Sequence, residues 1–115
     1  MKKDALVFIK HIRDAIGEVG EFLSGVTEEN FLNDAKTQKA VVRDLEIMGE
    51  AVKNLSMEFR ARYPQVDWEG VAGFRDVVVH DYFELDWKIV WEVVEKNLPV
   101  LKAQISKILA DAGQS

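Results

Sequence analysis

Residues 34–62 read DAKTQKAVVRDLEIMGEAVKNLSMEFRAR. The apolar residues Val41, Leu45, Met48, Val52, Leu55 and Phe59 are separated alternately by four and three positions. That alternation winds a single apolar seam along an α-helix. Such a seam packs against antiparallel neighbours at a shallow angle, which is the geometry of a four-helix bundle. The pattern therefore predicts one long helix from Asp34 to about Arg62. Pro64 stops it and biases Tyr63 toward extended geometry. Gly49 lies beside the seam. A glycine inside a helix costs about 1 kcal/mol relative to alanine, so Gly49 is read as a point where another backbone comes close.

The flanking segments carry the same period. Upstream, Leu6, Ile9, Ile12 or Arg13, Ile16, Val19 and Leu23 predict a helix from about Asp4 to Ser24. Gly25 ends it, and Thr27 can cap a short turn reaching Asn33. Downstream, Asp67 reads as an N-cap, with Trp68 and Val71 opening a third long helix. Glu84, Leu85 and Asp86 form a short connection, with Asp86 capping a fourth helix that begins at Trp87. Its seam runs through Val90, Val94, Leu98, Leu101, Ile105 and Ile108. Pro99 must kink or restart this helix, and Asn97 can cap the restart. The tail, Asp111 to Ser115, should fray. The expected architecture is all-α: an antiparallel four-helix bundle with a short extra helix near residue 30 and a Pro-kinked C-terminal helix.

Bulk properties narrow the function. The chain has 115 residues, 48% hydrophobic and 30% charged, enough for a single helical domain over residues 1–115 with one core. It has no cysteine, which excludes a disulfide framework, a thiolate metal site and a cysteine nucleophile, and fits a reducing, cytoplasmic setting. No apolar run approaches the ~20 residues needed to span a bilayer. The opening MKKDALVFIKHIRD is interrupted by Asp4, Lys10 and His11, so it is not read as a signal peptide. The net charge of −5 argues against a broad basic face for nucleic acid. It leaves room for a local, salt-sensitive site for one phosphate.

The chemistry concentrates at residues 75–82, RDVVVHDY. Three consecutive valines suit a strand better than a helix, yet the surrounding pattern is helical and nothing nearby could pair with a strand. On a helix, Asp76 and His80 can touch, whereas Arg75 and His80 point about 140° apart. A site using both needs a distorted helix end or a cleft between two subunits. Cleaving RNA without a metal requires a base for the 2′-hydroxyl, an acid for the leaving 5′-oxygen and a cation for the phosphorus centre. Histidine can serve as acid or base near neutrality, and arginine is a fixed cation shaped for phosphate. Asp76 could orient the imidazole. Only His11 and His80 are present, and one imidazole cannot easily be acid and base in the same step, but two copies across a symmetric dimer could divide the work.

Plainer readings stand beside these. An Arg and a His at this spacing also describe a surface ion and a partly buried histidine. Tyr82 fits the edge of a core with its hydroxyl in water, and Trp68, Trp87 and Trp91 fit core anchors. His11 reads as exposed. The cluster Arg43, Asp44, Glu46 and Glu50 reads as solvated helix surface with i,i+3 and i,i+4 pairs. Lys36, Lys39, Arg60 and Arg62 read as a solvated face or a weak anion-attracting patch.

The run from Arg75 through His80 to Tyr82 and Phe83 resembles the R-x4-H-x-Y motif of the HEPN superfamily, and in particular its HepT-like toxins of bacteria and archaea. The segment 40–56 around Gly49-Glu50-Ala51, Trp68 before the motif, and Trp91-Glu92 with Leu98-Pro99 after it are similar as well, so the likeness covers about residues 30–105. The resemblance implies an all-α bundle, a homodimer with two motifs facing a shared cleft, and a metal-independent endoribonuclease acting on mRNA or tRNA. Arg75 and His80 would then be catalytic, with Asp76 and Tyr82 supporting. Asp76 stands where the family often has Asn, which adds negative charge beside the RNA phosphate. The resemblance further implies a toxin–antitoxin pair, in which a minimal nucleotidyltransferase neutralises the toxin by transferring AMP from ATP to Tyr82. ATP and magnesium would belong to that partner. No cofactor of the chain's own is expected, because its seven glycines are scattered and form no phosphate-binding loop. The alternative is a non-catalytic dimeric subunit that binds and regulates the nucleotidyltransferase. A third reading is a helical dimerisation module without activity.

Overall fold

The computed structural model describes residues 4–81 and 85–113, the side chains of 76–81 excepted. The described residues form helices joined by short turns, with no strand among them. Helix α1 spans Ala5–Phe22, α2 Glu28–Leu32, α3 Ala35–Lys53, α4 Met57–Ala61, α5 Trp68–Asp81, α6 Trp87–Glu92 and α7 Leu98–Asp111. The all-α expectation is borne out. α3 is the central element: it packs most extensively on α5 and α1, while α7 lies against α1 and α2 touches α3 and α6.

The caps follow the sequence closely. The Asp4 carboxylate accepts from the Leu6 amide at 2.9 Å, Thr27 from Asn30 at 3.1 Å and Asp86 from Lys88 at 3.0 Å. Gly25 ends the first helical hairpin arm with φ +73°, a conformation that costs other residues about 1 kcal/mol or more. Every seam residue read from α3 onward to Phe59 is buried, and so is every one from Val90 to Ile108. Ile9, Ile12, Ala15, Ile16 and Val19 of α1 complete the core.

Two boundaries differ from expectation. The helix predicted over 34–62 is two helices, broken between Asn54 and Ser56. Ser56 is extended, and its hydroxyl accepts from the Phe59 amide at 3.0 Å, a local capping bond that competes with helix continuation. The carbonyls freed at the end of α3 are used: Asn54 Nδ2 donates to Glu50 O at 2.9 Å, and an Arg60 terminal nitrogen donates to Val52 O at 2.8 Å. The break is short enough that Leu55 and Phe59 still face the core.

The second difference lies before Pro99. α6 passes through a π-helical turn at Val93–Asn97 directly into α7, and the flanking backbone stays helical. Proline has no N–H to donate and crowds the carbonyl one turn earlier, and a wider turn accommodates both. Asn97 makes no side-chain capping bond, so the expected capped restart is replaced by a continuous irregular helix.

Candidate functional site on α5

α5 begins at a well-anchored end. Asp67 accepts from the Gly70 amide at 3.0 Å. Trp68 is buried, and its indole N–H donates to the carbonyls of Arg60 at 3.1 Å and Tyr63 at 3.0 Å, tying α5 to the end of α4. From there the helix runs through Asp81, so the backbone of 75–81 is helical and the strand alternative for 76–79 is excluded. The poor helix propensity of the valine run is overridden in this helix, since propensity is only a weak local preference.

The reason for Gly49 is now geometric. A Cβ at position 49 would stand 2.5 Å from Arg75 Cβ, 2.9 Å from Arg75 N and 3.0 Å from Val71 O. The backbones of α3 and α5 therefore meet at Arg75, as the glycine suggested. One residue on, Glu50 Oε2 lies 2.8 Å from Arg75 Nε. The two side chains are 55% and 34% exposed, so the pair adds only about 0–1 kcal/mol to stability. Its consequence is orientation: the guanidinium is held against α3.

Arg75 lines an open pocket of about 450 Å³ between α1, α3 and α5. His11 from α1 shares this pocket, as do Arg43, Glu46, Ile47 and Glu50 from α3. His11 is exposed, as expected, and its ring meets Phe8 edge-on with centroids 5.9 Å apart. Arg43 is paired with Glu46. Each guanidinium is thus matched by a carboxylate on α3.

The cluster at 43–50 is not uniformly solvated surface. Asp44 is 2% exposed. Burial above all, and the neighbouring Glu18 carboxyl, push its pKa up to about 7, against a smaller opposing pull from Arg43. Glu50 was masked in the sequence by its charged neighbours. The signal that could have found it is its place next to Gly49. The suggested patch of Lys36, Lys39, Arg60 and Arg62 also dissolves: Arg60 serves the α3 terminus, and Arg62 pairs with Glu58 at 3.1 Å. Trp87 and Trp91 are half-buried against Phe31, with ring centroids 6.1 and 5.4 Å away, and act as core anchors. The side chains of Asp76 and His80, and the whole of Tyr82, lie outside the described residues. Among the described residues, no three His, Asp or Glu side chains cluster closely enough to hold a metal ion, and no helix is long and apolar enough to cross a membrane.

The family model described as ribonuclease HepT-like matches residues 12–108. The chain belongs to this HepT-like family of the HEPN superfamily. It is 42% identical over 110 residues to "Putative RNase MJ0127" of Methanocaldococcus jannaschii, spanning 96% of this chain and 91% of that protein. It is 38% identical over 108 residues to "Probable ribonuclease HepT" of Thermococcus cleftensis, spanning 94% and 98% respectively. No solved structure matches the chain.

Proposed function

We propose that the protein is a metal-independent endoribonuclease and the toxin of a toxin–antitoxin pair, acting as a homodimer on mRNA or tRNA. The observation that carries this is the setting of Arg75: backed by Gly49, held by Glu50, opening on a pocket, and five positions ahead of His80 on one helix. Family membership supports ribonuclease chemistry in general. In the proposed reaction a base removes the proton of the 2′-hydroxyl, whose oxygen attacks phosphorus. The bond from phosphorus to the 5′-oxygen breaks, and an acid returns a proton to that oxygen. The products are a 2′,3′-cyclic phosphate and a free 5′-hydroxyl. His80 takes part in these proton transfers, and the His80 of a second copy supplies the complementary role. Arg75 stabilises the negative charge at phosphorus. Asp76 orients His80.

Tyr82 positions substrate and is the AMP acceptor for a minimal nucleotidyltransferase antitoxin. An added phosphodiester would bring charge and bulk beside the phosphate site and block RNA. RNA cleavage by the purified, unmodified protein in EDTA tests the nuclease, with Arg75→Ala and His80→Ala as controls. Activity unchanged in both variants would refute it. Tyr82→Phe tests the modification separately: it should abolish AMP incorporation, detected by intact mass, while cleavage persists.

A further inference from the structure

We propose that the pocket between α1, α3 and α5 holds one unstacked nucleotide of single-stranded RNA beside the scissile phosphate, and that His11 contacts it. The inference rests on the assignment of Arg75 as the phosphate-binding cation, and adds a substrate-contacting residue from a different helix. His11 precedes the 12–108 segment that the family model matches.

Size and chemistry both point to a nucleotide. The pocket's volume of about 450 Å³ lies within the usual range for small-ligand sites, roughly 300–1,000 Å³. Its wall includes apolar surface from Ile47 and Ala51, the latter buried in the core. The rim carries Arg43 and Arg75, each paired with a glutamate of α3. The paired charges cancel, so the pocket does not read as a trap for a polyanion or for free phosphate. An apolar wall beside planar, carboxylate-paired guanidinium groups suits a ligand with a flat base and no more than a single anionic link. RNA supplies this where a single strand leaves its bases unstacked, and there bases rest on aromatic rings and guanidinium planes. His11 provides such a ring. Its edge-on contact with Phe8 sets the imidazole plane without burying it.

Because the chain has only two histidines, imidazole resonances report the site directly. The experiment is an NMR titration of the full protein with an uncleavable 2′-O-methyl oligoribonucleotide, with resonances assigned using His11→Asn. The His11 ring signals should move saturably, with the same midpoint as those of His80. His11→Ala should weaken oligonucleotide binding about fivefold to tenfold, the loss of one good contact. It should raise KM more than it lowers kcat and leave Tm unchanged, since the side chain is exposed. If the His80 signals move while those of His11 stay fixed, and His11→Ala binds normally, the pocket is not an RNA subsite. Normal RNA binding combined with lost AMP transfer by the nucleotidyltransferase would make it a protein-docking surface and overturn the proposal. If instead Arg75→Ala and His80→Ala leave cleavage intact, the nuclease assignment itself falls, and that result is distinct from the failure of His11 alone.

Discussion

Gly49 and Arg75 are the pair on which the proposed site depends, since a Cβ at 49 would meet Arg75. Replacing Gly49 with Ala would gain about 1 kcal/mol of helix propensity. The added methyl would meet α5 backbone atoms at 2.9 and 3.0 Å, so the two helices must separate. Overpacking of this kind costs about 1–3 kcal/mol and should prevail. Gly49→Ala should therefore lower the denaturation midpoint and, by moving Arg75, reduce RNA cleavage. Asp44 gives a second test at this scale. Its folded-state pKa of about 7 lies above its ordinary value of 3.8, so folding favours the protonated acid. Stability should be greatest below about pH 4 for this group and fall as pH rises toward and past 7. Asp44→Asn should remove that dependence and be more stable than the parent at pH 8 by on the order of 1–3 kcal/mol. Thermal melts at pH 5 and pH 8 would check both sign and size.

At the scale of elements, the break between α3 and α4 depends on Ser56. Ser56→Ala removes the hydroxyl that accepts the Phe59 amide and should cost about 1 kcal/mol, read from denaturant unfolding. This break also shows what a repeating pattern can and cannot reveal. The seam from Val41 to Phe59 identified the buried face correctly across an interruption it could not detect, because a break of a few residues leaves the spacing intact. A seam reports direction, and a cap reports termination, and here the serine's cap was outweighed by the run of apolar spacings around it. The same holds at Pro99, where the proline signalled an irregularity but not that a π-helical turn would absorb it. Asp44 was hidden for a different reason. Its burial arises where α1 crosses α3, and no pattern within α3 separates it from the exposed Arg43 beside it. Gly49 was legible because it lies beside the seam, where a costly residue can mark a close approach; Gly17, Gly20 and Gly73, also helical, have nothing within 4 Å of an added Cβ. The identity of Gly49's partner, Arg75, needed the third dimension, and so did the joining of His11 to the pocket.

Across the whole molecule, the central α3 carries the site on one side while α1 and α5 wall it. Five positions along an α-helix turn through about 140°, and the proposed dimer would bring Arg75 and His80 to one cleft. Sedimentation equilibrium should then give about twice the 13.1 kDa chain mass; a monomer at working concentrations would remove the second imidazole from the mechanism. The negative net charge fits a confined site, and cleavage should weaken only modestly with added salt, because few phosphate contacts are involved. The most direct measurement is cleavage of total cellular RNA by the purified protein in EDTA, after intact mass shows no AMP attached, with His80→Ala alongside. The account predicts cleavage by the parent, leaving 2′,3′-cyclic phosphate ends, and none by the variant. Cleavage by neither protein, or equally by both, would contradict it.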